Sequence, residues 1–290
     1  MDPDHLFEIV STRPLANPMD EAIALSRLRD IASNFREYNL EHQKWGLGAI
    51  SADSAFEIDF AQLRSHAVFD VAVHSLQSGI RESVVWADKT ANRRLDGYPS
   101  YSSIRTMIER FCSVIWVLGP EFSLERIRRT LRLQATELSE LRRYSRTLER
   151  LDPGGDRTRR AKILELEATY LDGFRDLAKT AGLEDEFKTL SGARVGHGHV
   201  VEGAAAFLPK SRPVEIYALW AVASGVLHGQ PLYSSSLSDT ELIVFNDGIT
   251  VQNQQQNAST HLQFAEASWL LFERAVELVN TRASSASSRI

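Results

Sequence analysis

Apolar residues recur at helical spacing through most of the chain, so the pattern predicts a helical protein. Between residues 20 and 45 the steps of four and three mark one stripe of an amphipathic helix, formed by Ala24, Leu28, Ile31, Phe35 and Tyr38. A second run predicts one long helix over residues 55–89. A third helix is predicted over residues 101–118, and its second half, "FCSVIWVL", is apolar on every side. We therefore expect that half at the centre of a bundle.

Residues 121–182 carry a different pattern, in which two strongly charged helices are separated by the turn sequence "LDPGGD". This pattern predicts an arginine-rich helical hairpin with exposed faces. Downstream, "YALWAVASGVLHGQPLY" reads as an apolar helix that has Pro213 in its first turn and stops at His228-Gly229. A last amphipathic helix is predicted over about residues 260–280.

Two stretches depart from the helical pattern. "SGARVGHGHVVEG" is read as a glycine-rich loop, and "ELIVFNDGITVQ" predicts a small β-hairpin over residues 240–254. The expected fold is all-α: a multi-helix bundle with a protruding charged helical hairpin and one small β-hairpin. Residues 1–282 are expected to form a single domain, and residues 283–290 a disordered tail.

Composition narrows the class of protein. The 290 residues are 43% hydrophobic and contain one cysteine, Cys112, which lies inside an apolar run. A single buried cysteine, an N-terminus without a basic signal region and the lack of any membrane-spanning apolar run predict a cytoplasmic protein without membrane association. The sequence has no Walker, Rossmann, HExxH, CxxC or GxSxG pattern. No cofactor and no metal are therefore predicted.

A candidate ligand pocket is formed by polar residues that stand on otherwise apolar helices. Arg105 and Glu109 are spaced i, i+4 on the central helix. Because burying two charges costs free energy, such a pair indicates either a ligand-binding site or an ordinary internal salt bridge. Ser224 and His228 share one face of a later helix with Tyr217, and His228 is alternatively a simple helix stop. His74, at i+8 from His66, is either a further member of the pocket or a core histidine. The candidate ligand-binding residues are Arg105, Glu109, Tyr217, Ser224, His228 and His74.

Nucleic acid is the alternative ligand. Net charge is −5, which argues against a molecule-wide nucleic-acid surface, yet residues 125–162 hold twelve basic and six acidic residues. Arg194 and His199 also match the Arg-x4-6-His spacing of the HEPN ribonucleases, although Gly196 and Gly198 disfavour the helix that carries that element. The alternative interpretation of the arginine-rich hairpin is a solvated structural element stabilised by Glu–Arg pairs. The candidate nucleic-acid residues are Arg128, Arg129, Arg132, Arg142, Arg143, Arg194 and His199.

Two segments together resemble a group of uncharacterised all-helical bacterial proteins. The first is a helix with Arg and Glu followed by Trp-x-Leu-x-Pro, and the second is a helix with Ser-x-x-x-His-Gly. The matching positions are Arg105, Glu109, Trp116, Pro120, Ser224, His228 and Gly229. The resemblance implies a helical fold and a meeting of Glu109 with His228, and it implies no activity.

The leading hypothesis is a helical protein that binds an unidentified small molecule or protein, with enzymatic activity left open. The first alternative is a HEPN-like ribonuclease or phosphodiester hydrolase of stress or phage defence, in which the arginine hairpin holds the nucleic acid. The second is a structural protein, a homo-oligomer whose long amphipathic helices bury a dimer seam.

Overall fold

The structure, a computed structural model, describes residues 7–11, 18–41, 50–91, 97–151, 157–208, 213–230, 238–245, 250–256 and 258–284. These ranges are mainly helical, which confirms the helical class. The helices are α1 (Pro18–Glu41), α2 (Ala55–Leu63), α3 (Ala67–Ala91), α4 (Gly97–Leu118), α5 (Ser123–Leu151), α6 (Arg157–Thr180), α7 (Leu190–Ala193), α8 (His197–Ala205), α9 (Pro213–Leu227) and α10 (Ala258–Ala283). The strands are β1 (Phe7–Ser11), β2 (Ser238–Phe245) and β3 (Thr250–Gln256).

The chain divides into two compact units. The first unit comprises Met1–Lys44, Gln77–Phe111 and Arg212–Glu273. The second comprises Trp45–Leu76, Cys112–Ser211 and Arg274–Ile290. The single domain over residues 1–282 stays a prediction, and the predicted tail falls almost wholly outside the described residues.

Aromatic packing forms the core of the first unit. Phe35 of α1 is fully buried, and its ring meets Trp269 and Phe272 of α10 edge-on at centroid distances of 4.9 and 5.4 Å. Phe111 of α4 stacks on Phe35 at 6.5 Å. Such pairs add about 0.5–1.5 kcal/mol each beyond the burial of their area. The apolar stripe of α1 therefore predicts correctly which face of that helix is buried.

The second unit is built on the end of α4. All eight residues of the predicted apolar run, 111–118, are buried, including Cys112, as expected. The last carbonyls of a helix have no intrahelical donor, so a buried helix end needs other partners. Arg126 donates to the carbonyls of Pro120 and Glu121 at 3.1 and 2.6 Å. Arg282 donates to the carbonyls of Leu118 and Pro120 at 3.0 and 2.9 Å.

Asp59 completes this arrangement by holding Arg126 in place. The guanidinium donates to both carboxylate oxygens, at 2.9 and 2.6 Å, and both side chains are only 2% exposed. Bidentate geometry and three further carbonyl acceptors offset the cost of burying the two charges. The sequence analysis did not predict this pair, because Arg126 stands among solvated arginines along the chain.

The long helix predicted over residues 55–89 is wrong, since the structure has α2 and α3 instead. Arg64 ends α2 in the left-handed conformation, with φ of 54°, and its N–H is bonded to the carbonyl of Phe60 at 2.6 Å. Apolar periodicity continues across the break because both helices bury residues on either side of it, including Leu63 and Ala67. The spacing of apolar residues therefore gave no sign of the break between α2 and α3.

The glycine-rich loop predicted over residues 191–203 is also wrong. Part of it forms α7, and His197–Ala205 form α8. Burial of Val200, Val201 and Ala204 outweighs the low helix propensity of the glycines. Gly203 is also required for packing, since a Cβ at this position would lie 2.7 Å from the indole nitrogen of Trp116.

The β-structure differs from the predicted isolated hairpin. Strands β2 and β3 are antiparallel, and β1, which the sequence analysis missed, pairs antiparallel with β2 on its other side. The sheet is thus three-stranded in the order β1-β2-β3. The turn expected at residues 246–248 lies outside the described residues. No helix in the described ranges is both long and apolar enough to cross a membrane.

Candidate functional site

Glu109 connects α4 to α9. Its carboxylate accepts a hydrogen bond from Arg105 Nε at 2.8 Å and one from the indole N–H of Trp220 at 2.9 Å. The side chains of Arg105 and Glu109 are 22% and 15% exposed. Arg105 lies on α4 and Trp220 on α9, so the carboxylate of Glu109 links these two helices of the first unit. Trp220 was not among the candidate ligand-binding residues predicted from the sequence.

His228 lies at the end of α9 and is exposed. The next residue, Gly229, has φ of 67°, the N–H of Gly229 is bonded to the carbonyl of Val226, and the N–H of Gln230 is bonded to the carbonyl of Gly225. These two bonds are those of a Schellman motif, in which glycine takes the left-handed position. This geometry matches the helix stop that the sequence offered as the alternative to a pocket.

Two other members of the candidate pocket lie on the same helix. The carbonyl of Ser224 accepts the backbone N–H of His228 at 3.1 Å. Tyr217 is 43% exposed, and its ring lies 5.7 Å from that of Trp220. Among the described residues, no hydrogen bond or ion pair joins His228 to Glu109. The meeting of these two residues therefore stays a prediction, and α9 reaches Glu109 through Trp220.

His74 does not lie on the core side of α3, as one interpretation of the sequence had it, because its side chain is exposed. His66 precedes α3 rather than lying on it, and its ring stacks on Phe60 at 4.3 Å. The break after α2 therefore places His66 outside the helix that carries His74. Among the described residues no group of three His, Cys, Asp or Glu side chains is placed to hold a metal ion.

Three of the candidate nucleic-acid arginines are held by protein acceptors. Arg128 binds Glu125 and Glu186 at 2.6 and 2.9 Å, and these hydrogen bonds raise its pKa. Arg132 binds Glu186 at 3.2 Å. Arg129 binds Glu125 at 2.9 Å and the carbonyl of Trp116 at 2.7 Å, with its guanidinium 5.2 Å from the Trp116 ring centroid.

A second group of arginines of the hairpin converges on a cleft of about 810 Å³ in the second unit. We call this the basic cleft. It lies between α5, α6 and the segment 187–194 that follows α6. Its cationic lining residues are Arg142, Arg143, Arg146, Arg150, Arg175, Lys188 and Arg194, and its hydroxyl-bearing ones are Ser139, Thr147, Thr189 and Ser191. Among the described residues that line it there is no carboxylate.

Local contacts fix the 187–194 segment against the two helices. Gly182, with φ of 68°, ends α6 in a second Schellman motif and turns the chain back. The ring of Phe187 then packs edge-on against Phe174 of α6 at 5.8 Å. Thr136 Oγ1 of α5 accepts from the N–H of Val195 at 2.9 Å and donates to its carbonyl at 3.0 Å. Glu186, held by Arg128 and Arg132, provides the third anchor. These arginines thus position the wall that carries Lys188 and Arg194.

Several cations of the basic cleft have no counter-ion among the residues that the structure describes. Arg146, Arg150 and Arg194 make no ion pair with any described residue. Arg142 pairs with Glu167 at 2.8 Å and Arg143 with Glu140 at 2.5 Å. The pairs of Arg175 with Asp172 at 3.5 Å and of Lys188 with Asp185 at 2.7 Å are exposed, and exposed pairs contribute little. The basic cleft therefore carries a positive charge that the protein only partly neutralises.

Arg194 and His199 are not brought together in this cleft. Arg194 lies between α7 and α8 and lines the cleft, whereas His199 is exposed on α8 with its ring 6.3 Å from that of Trp116. The Arg-x4-His spacing therefore does not lie on one helix, and the HEPN interpretation loses the structural setting on which it rests.

The basic cleft combines residues 139–150, 171–175 and 187–194. The charge run along α5 and α6 pointed to this region, while Arg175, Lys188 and the hydroxyl residues carried no signal in the sequence. Comparisons with protein-family models, with curated proteins and with solved structures find no match to this chain.

Proposed function

We propose that this protein binds a polyanionic, phosphate-bearing ligand in the basic cleft of its second unit. The proposal keeps the ligand-binding role expected from the sequence and moves the site away from Glu109 and His228. The observation that carries it is a concave site whose described lining has seven cationic side chains and no carboxylate. Guanidinium groups suit phosphate because their planar donors match its oxygens in pairs.

The size of the site agrees with this role. A volume of about 810 Å³ falls within the range of roughly 300–1,000 Å³ typical of ligand pockets. Like charges held close together destabilise the unliganded protein, so an anion that neutralises Arg146, Arg150 and Arg194 gains free energy from each of them. Four hydroxyl groups in the lining supply neutral donors to phosphate oxygens.

We propose binding without chemistry on the ligand. General acid–base catalysis needs a titratable group within hydrogen-bond reach of the reacting atoms. The described lining contains no histidine and no carboxylate, the side chains that most often serve as general acid or base. The ribonuclease alternative therefore has no support from the residues around the basic cleft.

The test uses inorganic tripolyphosphate and long-chain polyphosphate as probes, with the full chain, at low salt. Isothermal titration is expected to show binding that the double variant Arg146→Gln/Arg150→Gln weakens about tenfold or more. The control Arg29→Gln/Arg81→Gln removes the same charge from exposed positions of the first unit and should bind like the wild type. Lack of binding to both probes, or equal losses in the two double variants, would contradict the proposal.

A further inference from the structure

Three arginines of the basic cleft form one line along α5. Arg142, Arg146 and Arg150 recur every four residues, so they share one side of the helix. At a rise of 1.5 Å per residue, neighbouring members are separated by about 6 Å and the line spans about 12 Å. Consecutive phosphates of an extended nucleic-acid strand are separated by a similar distance. A compact phosphorylated metabolite does not need such a line.

The opposite wall supplies a second set of cations. Arg175 of α6 and Lys188 and Arg194 of the following segment face the same space as the line on α5. With a volume of about 810 Å³, the cleft holds a few nucleotides of one sugar–phosphate strand between its walls. Both strands of a duplex of the same length would need about twice that volume.

The aromatic residues of the lining do not offer a surface for bases. Phe174 and Phe187 are both 4% exposed and pack against each other. Proteins that bind single strands through their bases stack them on accessible aromatic faces. Recognition in this cleft is therefore confined to phosphates and sugar hydroxyls, which makes it indifferent to sequence.

We infer that the ligand of the basic cleft is a single-stranded nucleic acid, bound along α5 through two to four consecutive phosphates without regard to base sequence. This inference rests on the proposed function and specifies its ligand. The side chains that carry it are Arg142, Arg146 and Arg150, with Arg194 opposite them. Phosphate contacts of this kind position a strand and carry no sequence information.

Fluorescence anisotropy with labelled twelve-nucleotide strands tests the inference on the full chain. The strands are oligo-A and oligo-U RNA and oligo-dT DNA, and a twelve-base-pair duplex is the comparison. We expect the three single strands to bind with Kd values within a few-fold of one another and the duplex about tenfold more weakly. Because only RNA carries the 2′-hydroxyl, comparing the RNA and DNA strands distinguishes a contact to that hydroxyl from a contact to phosphate alone.

The salt dependence gives a second, quantitative readout. Each phosphate neutralised on a single strand contributes about −0.7 to the slope of log K against log salt. Arg146, Arg150 and Arg194, which have no carboxylate partner in the described part of the chain, therefore predict a slope of about −2 or steeper. Arg146→Gln/Arg150→Gln should reduce its magnitude by about 1.4 and weaken binding about tenfold, whereas Arg29→Gln/Arg81→Gln should change neither.

The outcomes separate this inference from the function on which it rests. Tripolyphosphate binding that depends on Arg146 and Arg150, without oligonucleotide binding there, overturns the inference and leaves polyanion binding intact. Duplex binding as tight as single-strand binding, or strong preference for one base, also overturns it. Failure of oligonucleotides and both phosphate probes alike overturns the proposed function as well.

Discussion

Arg126 is the residue at which the buried polar contacts of the second unit converge. It binds Asp59 through two hydrogen bonds and also meets the carbonyls at the end of α4. Replacing Arg126 by Met would leave the Asp59 carboxylate buried without its partner. We expect a loss of about 3–5 kcal/mol in the free energy of unfolding, measured by urea denaturation.

The matched control for this prediction is Arg128→Met, two residues further along α5. Arg128 also binds two carboxylates, but its side chain is 30% exposed. Exposed pairs contribute about 0–1 kcal/mol, so this variant should lose far less stability. Similar losses in the two variants would show that burial of the Asp59–Arg126 pair is not what makes it stabilising.

The end of α9 yields a second prediction at the scale of single residues. Gly229 adopts φ of 67°, a conformation that costs an L-residue roughly 1–2 kcal/mol, while the exposed side chain of His228 makes no bond to any described residue. Gly229→Ala should therefore lower the free energy of unfolding by about 1 kcal/mol, and His228→Ala should change it by less than about 0.5 kcal/mol. A larger loss in His228→Ala, in thermal or urea unfolding, would restore His228 as a structural or functional contact.

At the scale of the secondary-structure elements, most helices could be predicted within a few residues of their ends. Residues near the helix ends are enough to predict these positions, as Pro213 does at the start of α9 and Gly229 does after its end. α8 was missed because its stability comes from the burial of Val200 and Val201, which local propensity does not report. The break between α2 and α3 was missed because apolar spacing continues through it.

The basic cleft shows the corresponding limit for the candidate site. The sequence predicts a positively charged hairpin, since charge is countable along the chain. It does not show which arginines are neutralised, because Glu186 and Glu167 reach Arg128 and Arg142 from 58 and 25 residues away. Pairing at such separations is a property of the folded chain, and it distinguishes arginines with a carboxylate partner from those, such as Arg146, that have none among the described residues.

Glu125, in the first turn of α5, predicts how the stability of the protein depends on pH. Burial alone would raise the pKa of Glu125, but hydrogen bonds and charges of Arg129 and Arg128 lower it below its usual value. A carboxylate with a lowered folded-state pKa stabilises the protein above its unfolded pKa of about 4.3, and this contribution is lost as pH falls through the folded pKa. Its position in the first turn of a helix acts in the same direction.

Glu125→Gln should therefore be less stable than the wild type at pH 6–7, and the difference should shrink as pH falls below about 4. Urea denaturation of both proteins between pH 3.5 and 7 measures this change. Glu140→Gln is the control, because its carboxylate is 51% exposed and its pair with Arg143 is a surface pair. A difference for Glu125→Gln that stays constant over this range would contradict the pKa shift.

At the scale of the whole molecule, the charge of the chain and the charge of the basic cleft have opposite signs. The net charge is −5 and the isoelectric point is about 5.9, whereas the cleft collects seven cations. At an ionic strength of 0.15 M, interactions between exposed charges are screened beyond roughly 8 Å. The affinity of the cleft for a polyanion therefore depends mainly on the nearby arginines. Repulsion of the polyanion by the acidic remainder of the chain matters mainly at low salt.

This separation of local from total charge can be measured by chromatography. Arg146→Gln/Arg150→Gln and Arg29→Gln/Arg81→Gln change the net charge equally, so they should shift to the same extent on an anion exchanger. On immobilised heparin, a polyanion, the first variant should elute at clearly lower salt than the wild type, because it loses two of the contacts that release counter-ions. The second should elute with the wild type. Equal shifts on heparin would mean that net charge governs retention, and the basic cleft would then have no special affinity for polyanions.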